Sequence, residues 1–432
     1  MTAAERKAKI AEITGGNYFS TDGKGKRIRY CGEVKTFIEY EIPMDLIIYN
    51  VENGRIASLV KSYEREHSSL NPEKEEDAKQ IAQFLYDSND IANKKTKRNI
   101  VANGQLETGI ITCDGVLVDG NRRVSLMRQI ISDSSFSTSE RARCEKFRAI
   151  VLPEDADKKE ILRLETTFQM GADEKVGYNA IEKYLHAQDL SDQGFSTSDI
   201  SEFMNLDGAT EVTKLLEIKQ LIDEYLEYFG LDGLYTRLPK GFEDDLQKLN
   251  TAIRKIKNGS INWIPTTRLT EVENDLKCIS FDYIRLNAKS PDGFEFRSIA
   301  STSNANFLVN EDIWNQFVKS WQDATNDITE TPIEVVLSKA TTTNESSRLL
   351  EARDNEWRTN VKDNLMEAFN DAQTTLNNKK EKEKPGVLFK RALNALQQID
   401  LENLGAATDK SDIIKYIKQV KTICDNVSNK VQ

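Results

Sequence analysis

Helical periodicity from Lys158 almost to the C terminus constrains the fold of this chain more than any other feature of its sequence. Segments such as KKEILRLETTFQM and ATEVTKLLEIKQLIDEYLEYFG place apolar residues at i, i+3 and i+4. Before residue 155, short β-rich runs alternate with helical segments. The sequence therefore predicts the α+β class, with an α+β domain at 1–155, a helical, helix-turn-helix-like domain at 156–260 and a mostly helical C-terminal interaction domain at 261–432.

Within residues 1–155, short apolar runs and turn residues predict several strands and helices. An Asp-Gly pair at residues 114–115 separates TGIIT from VLVDG, which is typical of a hairpin. The segment NKKTKRN is interpreted as a basic connector, and a small β excursion is expected within residues 278–300. We expect strands at residues 34–42, 46–51 and 147–153, and helices at residues 76–86 and 122–131.

The charge and the residue counts exclude several classes of protein. The chain has 432 residues and a net charge of -11, so any contact with DNA requires a local basic patch. Five dispersed cysteines without C-x-x-C spacing indicate reduced thiols. Only two histidines are present, which argues against zinc proteases and Ser-His-Asp hydrolases. No apolar run has the length of a membrane span, so we expect a cytoplasmic protein without membrane contact.

Residues 116–131 contain the most informative motif, because a β-rich run ends in a turn and a helix then begins at two arginines. The first N–H groups of a helix have no intrahelical partners and lie at the positive end of its dipole, so they bind anions. Gly120 allows close approach of the backbone, and Arg122 and Arg123 supply guanidinium groups for phosphate oxygens. Asp119 or Asn121 is expected to cap the helix.

Several segments share their order with a known superfamily. They are IIYNVENGRIA, ANGQLETGIIT, the G-x-R-R turn at residues 120–123, LETTFQM and the helix-turn-helix-like QGFSTSDISEFMNL. In this order they resemble the ParB/sulfiredoxin superfamily, in particular the N-terminal domain of partition proteins, over about residues 40–230. Asn121 and Arg122 stand where sulfiredoxins have a Cys and a His, so sulfinic acid reduction is excluded. The resemblance implies a ParB/sulfiredoxin-like N-terminal fold.

The resemblance also implies roles for single residues. In nucleotide-binding members of the superfamily, the G-x-R-R turn holds a triphosphate and the later box supplies a Glu. Glu165 matches that Glu, which implies a catalytic and Mg²⁺-binding role. Thr166 stands in place of the family's Asn and Gln169 lies near its Arg, which departs from the pattern for metal binding and hydrolysis. Arg55 matches the arginine of the first box and would complete the phosphate clamp.

The helical part favours protein contacts over DNA reading. Its helix-turn-helix-like segment is expected to begin at Ser196 or Thr197, but residues 178–235 are strongly acidic, whereas a recognition helix needs the opposite charge. LFKRALNALQQIDLENL and IIKYIKQVKTICDNV have a/d-like spacing over two to three heptads, which favours a homodimer or a protein partner. Three tryptophans belong either to a local core or to such a surface: Trp314, Trp321 and Trp357.

The first function hypothesis is a ParB-like nucleotide-binding switch or NTPase, using CTP, ATP or GTP with Mg²⁺, in DNA partition or anti-phage defence. An alternative is a non-hydrolysing DNA-associated adaptor, whose N-terminal domain contacts the DNA backbone through the G-x-R-R patch. A nuclease or a kinase on the same fold is a weaker alternative. Besides the catalytic Glu165, the predicted nucleotide- and phosphate-binding residues are Arg55, Asp119, Gly120, Asn121, Arg122, Arg123, Thr166 and Gln169.

Overall fold

The computed structural model describes residues 1–169, 180–286, 294–301, 306–340, 342–382, 385–399 and 410–431. The chain forms two compact units, Met1–Ala372 and Gln373–Gln432. Helices predominate, and two small sheets lie in the first 151 residues, which confirms the α+β class. The three-domain division and the ParB/sulfiredoxin-like fold stay predictions.

Six short strands form the two sheets. They are β1 Lys26–Tyr30, β2 Glu33–Phe37, β3 Glu39–Pro43, β4 Gly109–Ile111, β5 Leu117–Asp119 and β6 Lys146–Val151. β1 and β2 form an antiparallel pair, and the larger sheet has the order β3-β6-β4-β5. Its central pair, β4 and β6, is parallel, and its outer pairs are antiparallel. The predicted Asp-Gly hairpin is confirmed between β4 and β5, where the Gly115 N–H donates to the Thr112 carbonyl at 3.0 Å.

Two strand predictions need correction. The single strand expected at residues 34–42 is divided at Ile38, because the Ile38 N–H donates to the Tyr18 carbonyl at 3.0 Å, outside the ladders of β2 and β3. The strand expected at residues 46–51 is wrong. Met44–Leu46 form a 3₁₀ turn, and Ile48 makes an isolated bridge to Val116. The chain then leaves the sheet in a loop, residues 50–56, that carries Arg55.

Six helices surround these sheets. They are α1 Ala3–Thr14, α2 Ala57–Glu66, α3 Glu75–Asp87, α4 Asp90–Asn103, α5 Asn121–Ser132 and α6 Thr138–Ala142. α3 and α5 confirm the helices predicted at residues 76–86 and 122–131. The segment NKKTKRN is part of α4 and not a connector. Lys and Arg favour helix, Asn89 caps α4 by accepting the Ala92 N–H at 3.0 Å, and Ile100 is buried.

The four-stranded sheet is covered on both faces, because successive residues of a strand point to opposite sides. On one face, Ile111 and Leu117 pack in a core that includes Ile81 of α3 and Val124 of α5. The other face packs against the β1–β2 pair and the helix that follows β6. That second core contains Ile28, Tyr30, Phe37, Ile110, Val118, Ile150, Leu152 and Leu164. The start of α5, directly after β5, is therefore fixed by two cores.

The described chain is helical from Lys158 onward, as predicted. The helices are α7 Lys158–Gln169, α8 Ala180–Asp192, α9 Thr197–Phe203, α10 Ala209–Tyr228, α11 Phe242–Lys257, α12 Leu269–Leu286, α13 Glu311–Thr325, α14 Ile333–Leu337 and α15 Thr343–Lys382. The prediction of a β excursion is wrong for residues 278–286. These residues belong to α12, and Phe281 and Tyr283 are buried among helices. Residues 287–293 of that prediction lie outside the described residues. Ser196 caps α9, as predicted.

The three tryptophans belong to the local core of the helical part. Trp314, Trp321 and Trp357 are all buried. The Trp321 indole donates to Asp282 Oδ2 at 2.7 Å, and the Arg285 guanidinium lies 4.3 Å from the centre of the Trp357 ring. The alternative of a partner surface is therefore wrong for these three residues.

The second unit contains the end of α15 together with α16 Pro385–Gln397 and α17 Lys410–Val431. Large apolar side chains of α16 and α17 are exposed, which is consistent with their a/d-like spacing. They include Phe389, Leu393, Leu396, Ile414, Tyr416, Ile417, Val420 and Ile423. Association with a second copy or another protein stays a prediction. Across the described residues, no helix combines the length and the hydropathy needed to cross a bilayer.

Candidate functional site

The turn before α5 has the geometry of an anion site. Gly120 has a φ of +116°, and a Cβ at this position would lie 2.5 Å from Cζ of Phe147. Both the backbone conformation and the Phe147 ring therefore require glycine. Among the residues that the structure describes, no side chain caps α5. The first amides of the helix are thus not satisfied by a capping side chain.

The predicted caps, Asp119 and Asn121, have other partners. Asn121 is buried, and its Oδ1 accepts the backbone N–H of Asn50 at 2.9 Å. Asp119 Oδ2 lies 2.7 Å from Nη2 of Arg123. The capping prediction is therefore wrong, because both side chains hold neighbouring segments in place: Asn121 holds the start of the Arg55 loop, and Asp119 holds Arg123.

A cleft of about 610 Å³, here called the α5 cleft, opens at this turn. Its wall combines the start of α5 with parts of α4, the segment 104–107, the end of α7 and the Arg55 loop. Seven of the nine predicted site residues line it: Arg55, Asp119, Gly120, Asn121, Arg122, Arg123 and Gln169. The other two predicted site residues, Glu165 and Thr166, are not among the described residues that line the cleft. The structure therefore brings together seven of the eight predicted nucleotide- and phosphate-binding residues, from three separate segments, and leaves out Thr166.

Cations dominate the wall of the α5 cleft. Four cationic side chains line it, those of Arg55, Lys95, Arg122 and Arg123, against the two carboxylates of Glu107 and Asp119. Arg123 is held by Asp119 and by the Glu107 carbonyl, to which its Nη1 donates. The wall of the α5 cleft is therefore locally positive in a protein with a net charge of -11, which favours anions over cations at this place.

Two cations near the cleft were not predicted as site residues. Lys95 lies on an exposed part of α4 and lines the cleft, and its only signal in the sequence was the basic run NKKTKRN. Lys26 Nζ lies 3.9 Å from Asp119 Oδ2 and donates to the Thr108 carbonyl at 2.5 Å. Burial lowers the pKa of Lys26, and Asp119 opposes this shift. No local pattern could identify Lys26, because its partners lie more than 80 residues away.

Glu165 lies beneath the cleft and holds the Arg55 loop. Its carboxylate accepts hydrogen bonds from the side chains of Asn50 and Asn53 at 3.0 Å, the Gly54 N–H at 3.0 Å and the Gln169 side chain at 2.9 Å. Burial raises the pKa of Glu165 to about 8, and these hydrogen bonds act in the opposite direction. This arrangement favours a positioning role. The catalytic and Mg²⁺-binding roles of Glu165 stay predictions.

Thr166 contacts the buried histidine of α8. Its Oγ1 lies 2.7 Å from the Leu162 carbonyl and 2.6 Å from Nε2 of His186. Burial lowers the pKa of His186 to about 4, so the imidazole is neutral at pH 7. The His186 ring also packs against the Arg55 loop, since a Cβ on Gly54 would lie 2.7 Å from its Nδ1. Thr166 therefore stabilises the packing of α8 on this loop.

A second buried carboxylate holds the other end of the Arg55 loop. Glu182 of α8 accepts the Ser58 N–H at 3.1 Å and the Ser58 hydroxyl, at the first turn of α2. Burial raises the pKa of Glu182 to about 7, against the hydrogen bonds from Ser58. Sequence reasoning missed this residue. The loop that carries Arg55 is thus held between Glu165 of α7 and Glu182 of α8.

Fold and site together define an α+β protein whose cationic cleft opens at the start of a helix. Comparison with models of known protein families, with curated proteins and with solved structures finds no match to this chain. In the described part of the chain, no group of three or more His, Cys, Asp or Glu side chains is arranged to hold a metal ion.

Proposed function

We propose that the protein is a nucleotide-binding switch or NTPase that binds the phosphates of CTP or ATP in the α5 cleft. One observation carries the proposal: Arg55 meets Arg122 and the start of α5, which has no side-chain cap, in one cleft although Arg55 comes from a separate part of the chain. Guanidinium groups and first-turn amides are both strong donors to phosphate oxygens. The same proposal includes GTP as the bound nucleotide.

Each part of the cleft has a defined task in this proposal. The first amides of α5 and the guanidinium of Arg122 bind phosphate oxygens, and Arg55 closes the site from the opposite loop. Arg123 stays paired with Asp119 and fixes the turn. Mg²⁺ enters with the nucleotide as the counter-ion of its phosphates. Because Glu165 lies beneath the wall and accepts four hydrogen bonds, the geometry supports a switch better than a hydrolase.

A thermal unfolding series tests the proposal. Binding at a ligand concentration of 100 times Kd should add about 2.7 kcal/mol to the free energy of unfolding. We expect this stabilisation from CTP or ATP with Mg²⁺, its loss in Arg122→Ala, and its retention in the control Arg143→Ala, an exposed arginine at the end of α6. Absence of stabilisation by any nucleoside triphosphate would contradict the proposal. Phosphate release, measured on the same samples, separates the NTPase from the switch.

A second candidate is the DNA-associated adaptor. It is favoured by one feature, the exposed basic residues Lys94, Lys95 and Arg98 of α4, of which Lys95 also lines the cleft. Counterion release makes phosphate contacts on DNA strongly salt-dependent. Duplex binding that weakens steeply between low and high salt, and that Lys95→Ala reduces, would support the adaptor. The setting in DNA partition or anti-phage defence is proposed on the resemblance alone.

A further inference from the structure

A second cavity of about 530 Å³ shares two arginines with the α5 cleft. Arg55 and Arg122 line both spaces, so the cavity continues from the cleft on the far side of this pair. Its remaining wall comes from α2, the α3–α4 junction, the start of α8 and the segment that leads into α11. We call it the α2–α11 cavity. Both volumes fall within the usual range of small-molecule sites.

The chemistry of the α2–α11 cavity differs from that of the α5 cleft. Large apolar side chains line it, namely those of Leu59, Ile181, Leu238 and Phe242, beside the small polar groups of Ser58 and Thr236. Its formal charges are three cations, Arg55, Arg122 and Lys240, and three acidic groups, Asp87, Glu182 and Glu243, of which Glu182 is partly protonated at pH 7. Two of these carboxylates already accept hydrogen bonds, Glu182 from Ser58 and Glu243 from the Tyr184 hydroxyl at 2.8 Å.

We propose that the α2–α11 cavity holds the nucleoside part of the nucleotide, an inference that rests on the proposed function. An uncharged ring system with a ribose gains most from an apolar wall with a few hydrogen-bonding groups, whereas a polyphosphate gains most from excess cations. The α5 cleft has the excess of cations and the α2–α11 cavity has the apolar wall, and the two spaces meet at Arg55 and Arg122. A nucleoside triphosphate that lies across the arginine pair would therefore place its phosphates in the cleft and its nucleoside in the cavity.

This placement gives the ligand a means of coupling two parts of the first unit. The phosphates contact elements next to the sheet, whereas the nucleoside contacts α8 and the segment before α11. A ligand shifts a conformational equilibrium only by its difference in affinity between states. Contacts to both sets of elements supply such a difference only between states in which these elements are arranged differently, and inorganic polyphosphate, which lacks the nucleoside, does not make the second set.

Calorimetric titrations with inorganic tripolyphosphate, CTP and ATP test the inference. Thr236 is exposed and lines the cavity, so Thr236→Trp should fill it without disturbing the core. We expect this variant to weaken binding of the preferred nucleotide by about tenfold or more and to change tripolyphosphate binding by less than about twofold. Leu238→Ala, which removes apolar wall, should show the same selectivity. The control Thr359→Trp, at an exposed position of α15, should bind all three ligands as the wild type does.

The outcomes separate the two proposals. Unchanged nucleotide affinity in both cavity variants would overturn the inference and leave the proposed function in place. An equal loss of nucleotide and tripolyphosphate affinity would also overturn it, because the effect would then act on the phosphate site. If the wild type binds neither tripolyphosphate nor a nucleotide, the proposed function fails and this inference fails with it.

Discussion

At the residue level, Gly120 has both a backbone conformation and a close neighbour that require glycine. Its positive φ and the 2.5 Å approach to Phe147 mean that Gly120→Ala has two costs, strain in the backbone and displacement of the ring. We expect a loss of roughly 2–4 kcal/mol in the free energy of unfolding, measured by urea denaturation. Gly194→Ala is the control, because its φ is +78° with open space around it, so it should lose about 1 kcal/mol. Equal losses would contradict the role of Phe147.

Glu182 makes the stability of the protein depend on pH. Its folded pKa, about 7, lies above the ordinary value of 4.5, so its contribution to stability is complete below about pH 4.5 and is lost as the pH rises through 7. Glu165, with a pKa of about 8, acts in the same direction. The free energy of unfolding should therefore fall between pH 5 and pH 8.

Glu182→Gln should reduce that fall by on the order of 3 kcal/mol, because the amide resembles the protonated carboxyl group and does not ionise. Chemical denaturation at several pH values measures the effect. The exposed control Glu12→Gln should keep the wild-type dependence. A Glu182→Gln profile parallel to that of the wild type would contradict the raised pKa, because it would mean that Glu182 has the same pKa in the folded and unfolded states.

At the scale of elements, the contact between α8 and the Arg55 loop depends on a glycine and a histidine. Gly54→Ala should cost about 1–3 kcal/mol, since the new Cβ would lie 2.7 Å from His186 Nδ1. The double variant Gly54→Ala/His186→Ala has no imidazole ring for the new Cβ to meet. The losses of unfolding free energy in the single variants Gly54→Ala and His186→Ala should therefore sum to more than the loss in the double variant. Urea unfolding of the four proteins measures this coupling. Additivity within about 0.5 kcal/mol would mean that the two residues do not interact.

The sequence predicted elements whose signal is local. α5 has clear helical periodicity, and the β4–β5 hairpin has an Asp-Gly turn. α4 was missed because its polar segment looks like a connector until Asn89 caps it and Ile100 packs in the core. The strand over residues 34–42 was predicted as one because the bond between Ile38 and Tyr18 has no local signature.

At the candidate site, too, local sequence signals could be recognised and contacts between distant parts of the chain could not. The residues that line the start of α5 are contiguous, and so the motif at 120–123 could be found from the sequence. The partners of Glu165 in the Arg55 loop are more than 110 residues away from it in the chain, and those of Glu182 are about as distant. No spacing rule connects such residues. Their positioning role depends on how α7 and α8 pack against the first part of the chain.

At the scale of the whole molecule, charge is distributed unevenly. The protein has a net charge of -11, yet the α5 cleft presents four cations against two carboxylates, one of them already paired with Arg123. A net negative charge repels polyanions such as DNA at long range, whereas a small nucleotide can enter a local cationic cleft. We therefore expect nucleotide binding to depend less steeply on salt than duplex binding would.

A crystal structure of the protein with a non-hydrolysable CTP or ATP analogue and Mg²⁺ shows whether the start of α5 binds the phosphates of a nucleotide. We expect phosphate oxygens about 2.7–3.0 Å from the guanidinium groups of Arg55 and Arg122 and from the first amides of α5. We also expect the nucleoside in the α2–α11 cavity. A nucleotide bound elsewhere on the protein, with no phosphate at the start of α5, would contradict the proposed function.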